Sequence, residues 1–320
     1  MSLSTLNSPL LISSLGVGAL AALPALEQSI FDGTISWTAI QAANVVAYGL
    51  NVFATSRPGR IDGNDVQSIK KGDEKDAQFQ GKRGRTMLAP SGWAFAIWGP
   101  IFLGELVFTA AQLTLKESSP LVPIVKQVSG PFISSQLFQS LWAATFRPKY
   151  EGNLRYISAG MLTGIAFSLS KAHEAFSGPS NRNSYSKGQF ILFFLPVSLH
   201  FGWTTAAALV NWNGALIIQD YTTPRIATWV GHFSVIAATG LGVALTVARS
   251  APVFGGVISW ALTALGTGMT KRIEDTKTVT DRDTLGVYGI EVQQRLCFLG
   301  ALATAATSAA VALAVAPKKW

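Results

Sequence analysis

Apolar residues fall in long runs separated by short polar stretches, and the runs set the architecture. A helix needs about 20 mostly apolar residues to cross a hydrocarbon core of about 30 Å. Eight runs of that kind lie at roughly 36–55, 91–114, 129–146, 154–171, 189–216, 225–248, 253–270 and 288–315. They are too long for strands and lack strict alternation. The pattern predicts an all-α, polytopic transmembrane helix bundle of about eight spans. Residues 1–35 allow three readings. Leu10 to Leu26 is apolar, but no Lys or Arg precedes Arg57, which is unlike a secretory or mitochondrial leader. A ninth short helix, a removed leader and an interfacial or loosely packed segment all remain open, with the last preferred.

Polar positions inside the runs recur at helical spacing. Trp37, Gln41, Asn44, Tyr48, Asn51 and Thr55 form one stripe on the first span. Two readings of this stripe carry equal weight: hydrogen bonds that glue helices together, or the wall of a polar cavity. On the second span Phe95, Trp98, Phe102 and Glu105 share a face. Glu105 lies fourteen residues past Ser91, about 21 Å along a helix axis. At that depth a carboxyl must be paired, protonated or hydrated, so Glu105 is expected to be buried, and protonated or hydrogen-bonded. Pro100, beside this face, is expected to kink the helix. Trp93 and Trp98 are five residues apart, about 140° around an ideal helix. Trp98 is therefore the candidate wall of a site and Trp93 a lid or interface anchor. The third span aligns Ser135, Gln139, Trp142 and Phe146, and the fifth aligns His200, Trp203, Ala207 and Asn211. His232 is expected to be hydrogen-bonded rather than a metal or haem ligand. Glu291 and Arg295, four residues apart, are expected to neutralise one another.

Charge changes the picture mainly by its placement. The chain is 49% hydrophobic and only 13% charged, and its net charge is +8. The basic residues are scattered over loops, so nucleic acid is not an expected partner. Alternating the eight spans places 16 Lys and Arg on one side and 8 on the other. By the positive-inside rule the richer side, which includes the hydrophilic loop Ser56–Met87, faces the cytosol or its equivalent. Cys297 is the only cysteine, which excludes an intramolecular disulfide and suggests a packing role. There is no phosphate-binding or dinucleotide loop, no HExxH, no CxxC and no nucleophile elbow. No catalytic residue, metal ligand or required cofactor is assigned, and enzymatic activity is not expected.

Three segments together resemble the tryptophan-rich sensory protein family, also called the TspO/translocator protein family. Ala89-Pro-Ser-Gly-Trp-Ala-Phe-Ala-Ile-Trp-Gly-Pro-Ile-Phe102 is similar to the Pro-rich, aromatic start of that family's second helix, and closer to its longer, multi-helix branch. Gln136-Leu-Phe-Gln-Ser-Leu-Trp142 resembles its Asn-x-x-Trp, with Gln139 in place of the Asn. Leu195 to Asn211 resembles its Pro…Trp…Asn fifth helix. The resemblance implies a five-helix membrane module over 36–216, an N-terminal apolar segment over 1–35 and a three-helix extension over 217–320. It also implies a receptor or carrier that holds a tetrapyrrole, such as porphyrin or haem, or a sterol-like lipid among its helices. The implied ligand-binding residues are Pro90, Trp93, Phe95, Trp98, Glu105, Gln139, Trp142, His200, Trp203 and Asn211. Leu216 to Arg225 also fits a loose cholesterol-contact pattern around Tyr221. Two other readings stand beside this one: a secondary transporter of a small solute, and a structural subunit of a membrane complex. The expected partners are the bilayer, a hydrophobic small molecule and, in a homodimer, a second copy of the chain.

Overall fold

A computed structural model describes residues 7–56, 88–145, 150, 152–178, 181, 184–217, 222–278 and 287–315. Among them are nine long helices: α1 (Pro9–Phe31), α2 (Trp37–Thr55), α3 (Trp98–Gln112), α4 (Val122–Thr145), α5 (Arg155–Ser177), α6 (Leu195–Ile217), α7 (Pro224–Ala248), α8 (Pro252–Thr278) and α9 (Val287–Val315). No strand occurs among the described residues. The protein is an all-α membrane helix bundle, and all eight expected runs are helical. The ninth helix is α1, within the segment left open by sequence.

One stripe of α1 is buried, made by Ile12, Gly16, Leu23 and Ile30, while Leu10 and Val17 are exposed. Gly16 lets the helix close onto α4 and α5: a Cβ there would stand 2.6 Å from Met161 Cε and 3.5 Å from a Phe138 ring carbon. Polar contacts clasp both ends. Asn7 donates to Ala144 O at 3.0 Å and accepts from Tyr150 at 2.6 Å, and Lys171 pairs with Glu27 at 3.0 Å. Burial pushes the Tyr150 hydroxyl up to about 12.

Six of the helices among the described residues are long and apolar enough to cross a bilayer: α1, α3, α6, α7, α8 and α9. The less apolar helices α2, α4 and α5 follow from where their polar groups point. The stripe on α2 is interhelical glue. Trp37 donates to Leu115 O, Gln41 exchanges amide bonds with Gln112, and Asn44 donates to Gln112 and Ser129. Tyr48 donates to Phe102 O, and Asn51 to Gln136 at 2.6 Å. Only Thr55 turns back onto its own helix. On α4, Ser129, Ser134, Ser135, Gln136 and Gln139 are all buried. Polar side chains are tolerated at membrane depth when they face protein instead of lipid.

The C-terminal helices pack through small residues. A Cβ at Gly300 would lie 2.2 Å from Thr239 Oγ1, and one at Gly242 2.6 Å from Thr304 Cγ2. Close backbone approach of this kind replaces the missing hydrophobic drive between helices in lipid. His232 is hydrogen-bonded, as expected, to Gln293 of α9. Cys297 is fully buried in packing. Glu291 and Arg295 do not pair: no ion pair joins them among the described residues, and Arg295 is exposed. The loop 57–87, Phe146 and Tyr221 lie outside the described residues.

Candidate functional site

The site begins where α3 begins. Residues Gly92–Ile97 form a 3₁₀ turn that passes into α3 at Trp98. Within the continuous helical stretch Gly92–Gln112, the backbone changes from 3₁₀ to α geometry two residues before Pro100. Pro100 sits in the first turn of α3, where its ring takes the place of an amide donor, and the irregularity lies just before it as 3₁₀ geometry. At three residues per turn, Trp93 and Trp98 still diverge by about 120°. Trp93 packs edge-on against Trp260 of α8 at 4.6 Å, whereas Trp98 turns into the bundle.

On α6, Pro196 has no amide to donate, and a π-helical turn, Phe190–Phe194, widens the chain just ahead of it. Its ring meets α3 at Gly104, where a Cβ would stand 2.7 Å from Pro196 Cγ. This close crossing juxtaposes the next residue of α3 with the next turn of α6. Glu105 Oε1 and His200 Nδ1 lie 2.6 Å apart, and both side chains are 0% exposed. Glu105 is thus buried and hydrogen-bonded, as its depth required. Its Oε2, and Nε2 of His200, have no hydrogen-bond partner.

Aromatic rings cover this pair. Trp98 lies 5.5 Å edge-on from His200, 6.3 Å from Trp203 and 5.5 Å from Phe102. Trp142 of α4 lies 6.4 Å from Trp98 with its plane turned by only 23°. Phe95, half exposed, packs edge-on against Trp203 at 5.8 Å. Gln139, one turn before Trp142, is buried with its Oε1 unpartnered, as is Trp203 Nε1. The structure therefore brings together Phe95, Trp98, Glu105, Trp142, His200 and Trp203, with Gln139 on the adjoining turn. Three residues fall outside this cluster. Pro90 lies upstream in the segment held by α8, and Trp93 faces Trp260. Asn211, eight residues past Trp203, gives its amide to Ala207 O of its own helix. A narrow apolar crevice between α6, α7 and α8 is lined by Val210, Val235, Leu262 and, from the segment ahead of α3, Leu88.

No group of three or more His, Cys, Asp or Glu side chains able to hold a metal ion occurs among the described residues.

The sequence pattern of the family described as TSPO-like protein matches residues 64–280. The chain belongs to the TSPO-like family. The match covers more than half of the chain and runs from the hydrophilic loop to just past the end of α8. No match was found among curated proteins or among solved structures. This TSPO-like chain is an integral membrane protein, and some residues from each of the three motif segments gather around Trp98.

Sequence reasoning did not find Trp260, which positions the start of the site from outside it. Trp260 sits in a helix whose small hydroxyl residues, Ser259, Thr263, Thr267 and Thr270, fall at helical spacing but which has no aromatic or amide stripe to mark it. It also missed Gln136 and Gln112 as partners of the α2 stripe, because a partner on another helix leaves no periodic trace.

Proposed function

We propose that the protein is a membrane receptor or carrier for a flat hydrophobic ligand, a tetrapyrrole or a sterol-like lipid, held among α3, α4 and α6. The observation that supports this most is the near-parallel Trp98–Trp142 pair above the buried Glu105–His200 pair. Two rings that clasp a flat molecule stand about 7 Å apart, twice the contact distance of carbon atoms. The Trp98 and Trp142 ring centres are 6.4 Å apart with their planes nearly parallel, so drawing these two rings apart face to face would create such a slot. The unpartnered atoms of Glu105, His200, Gln139 and Trp203 supply donors and acceptors for the few polar groups of the ligand, the usual composition of a small-molecule site.

Porphyrin titration followed by Trp fluorescence tests this reading. Saturable quenching is expected in the wild type. Trp98→Phe and Trp203→Phe, made singly, should each weaken binding several-fold, corresponding to about 0.5–1.5 kcal/mol per aromatic contact. Wild-type affinity in both folded variants would move the site elsewhere. The π-turn before Pro196 and an ionisable pair at membrane depth favour passage as well as binding. Saturable, ligand-specific flux into liposomes distinguishes a carrier from a receptor.

A further inference from the structure

The segment that carries Phe95 and Trp98 into the site is held from outside the five-helix module. Ser91 donates its backbone N–H to Ala264 O of α8 at 2.9 Å, and its hydroxyl bonds that of Thr267 at 2.9 Å. Trp260 donates from Nε1 to Ala94 O at 3.1 Å and packs against the Trp93 ring at 4.6 Å. Ala89 O lies so close to α8 that a Cβ on Gly268 would stand 2.2 Å from it. At the upstream end Leu88, 3% exposed, lines the apolar crevice between α6, α7 and α8. Downstream, Phe95 lies on Trp203, and the chain turns into α3 at Trp98. The strap 88–97 is thus fastened along one edge by a few side-chain and backbone bonds to α8. Its other face covers the aromatic cluster.

From this geometry we infer that the strap is the access gate of the candidate site and that α8 is its latch, with Trp260, Thr267 and Gly268 as positioning residues. The rings of the cluster already touch one another, so a ligand of porphyrin or sterol size enters only if something covering them moves. The strap is the covering element that lacks α-helical hydrogen bonding of its own. Releasing it exposes Trp98 and Trp203 while the α3–α6 crossing at Gly104 and Pro196 stays closed. Helices beyond the fifth span would then set how fast the site opens. The latch itself follows from the contacts alone; its role in ligand access rests on the function proposed above.

Hydrogen exchange of the full chain in lipid nanodiscs reads the latch without any ligand. Trp260→Phe removes one hydrogen bond and keeps the ring. It should speed exchange in residues 88–97 roughly five-fold, the usual worth of one such bond. Gly268→Ala, which forces Ala89 aside, should speed it further. Exchange in Ile101–Gln112 of α3 should not change. Unchanged strap exchange in both variants, or an equal rise throughout α3 and α6, would overturn the latch. The second arm measures the porphyrin association rate by stopped-flow Trp quenching. Trp260→Phe should raise association and dissociation together by a similar factor, leaving affinity within about two-fold. Faster strap exchange with unaltered association would overturn the access route. If no flat ligand binds even the wild type, the proposed function and the access role both fall, while the exchange result still decides whether α8 latches the strap.

Discussion

Two polar regions lie side by side in this bundle, and they are built differently. The seam of α2 with α3 and α4 is closed by direct bonds: Gln41 with Gln112, Asn44 with Gln112 and Ser129, Asn51 with Gln136. The region between α3 and α6 has one short bond, Glu105 to His200, and a covering of indole rings. Some amide atoms of the seam, such as Asn44 Oδ1 and Asn51 Oδ1, are also unpartnered, but each of those side chains already bridges two helices. Trp203 and Gln139 form no side-chain hydrogen bond at all to another helix among the described contacts. The seam spends its polarity on cohesion, and the aromatic region keeps part of it available. Helical periodicity identifies both as inward-facing; only the partner across the gap separates glue from site.

The largest expected effect comes from breaking the ionisable pair. His200→Leu leaves Glu105 buried without a partner, which should cost about 3–5 kcal/mol in reversible unfolding from detergent. Adding Glu105→Leu to the same chain should restore most of that loss. A double variant as unstable as the single would mean that the pair contributes net stability beyond mutual compensation. Next comes the crossing that sets the pair. Gly104→Ala pushes against Pro196 and should cost about 1–3 kcal/mol through overpacking, with the loss read as a lowered unfolding midpoint. Seam variants should be milder. Asn44→Ala is expected to cost about 0.6 kcal/mol and at most about 1.7, the mean and maximum for interhelical bonds in membranes, and to leave porphyrin-dependent quenching unchanged. If Asn44→Ala weakened ligand binding as much as Trp98→Phe does, the division between seam and site would be lost.

The smallest effect concerns the clasp of α1. The Tyr150 hydroxyl that bonds Asn7 is held up to about 12 by burial, above its ordinary 10.0. A folded-state value raised above the unfolded one gives stabilisation that is complete below 10.0 and is lost as pH rises through about 12. Proteolysis near residue 7 should therefore stay slow up to that window and quicken within it. Tyr150→Phe should abolish the alkaline step without altering the rest of the fold.

Much of the fold was legible in the chain. Runs of the right length gave eight helices because a hydrocarbon solvent demands long, internally hydrogen-bonded segments. Glu105 announced itself because a carboxyl at that depth requires a partner. The trio of aromatic segments pointed to the family now matched over 64–280. The helix in α1 was not decided, since an apolar stretch lacking basic flanks suits several fates. The 3₁₀ geometry of Gly92–Ile97 was not legible either, because an apolar aromatic run fits either kind of helix.

The sequence by itself determined which residues turn inward, through spacing along each helix, and where eight of the nine long helices run. The tertiary structure decided who meets whom. Glu105 and His200 are ninety-five residues apart and meet only because Gly104 lets Pro196 approach. Trp260 reaches Ala94 across one hundred and sixty-six residues. Periodicity is a property of one helix, whereas these contacts depend on the angle and distance between two, which are fixed by how small residues, proline rings and indoles fit together.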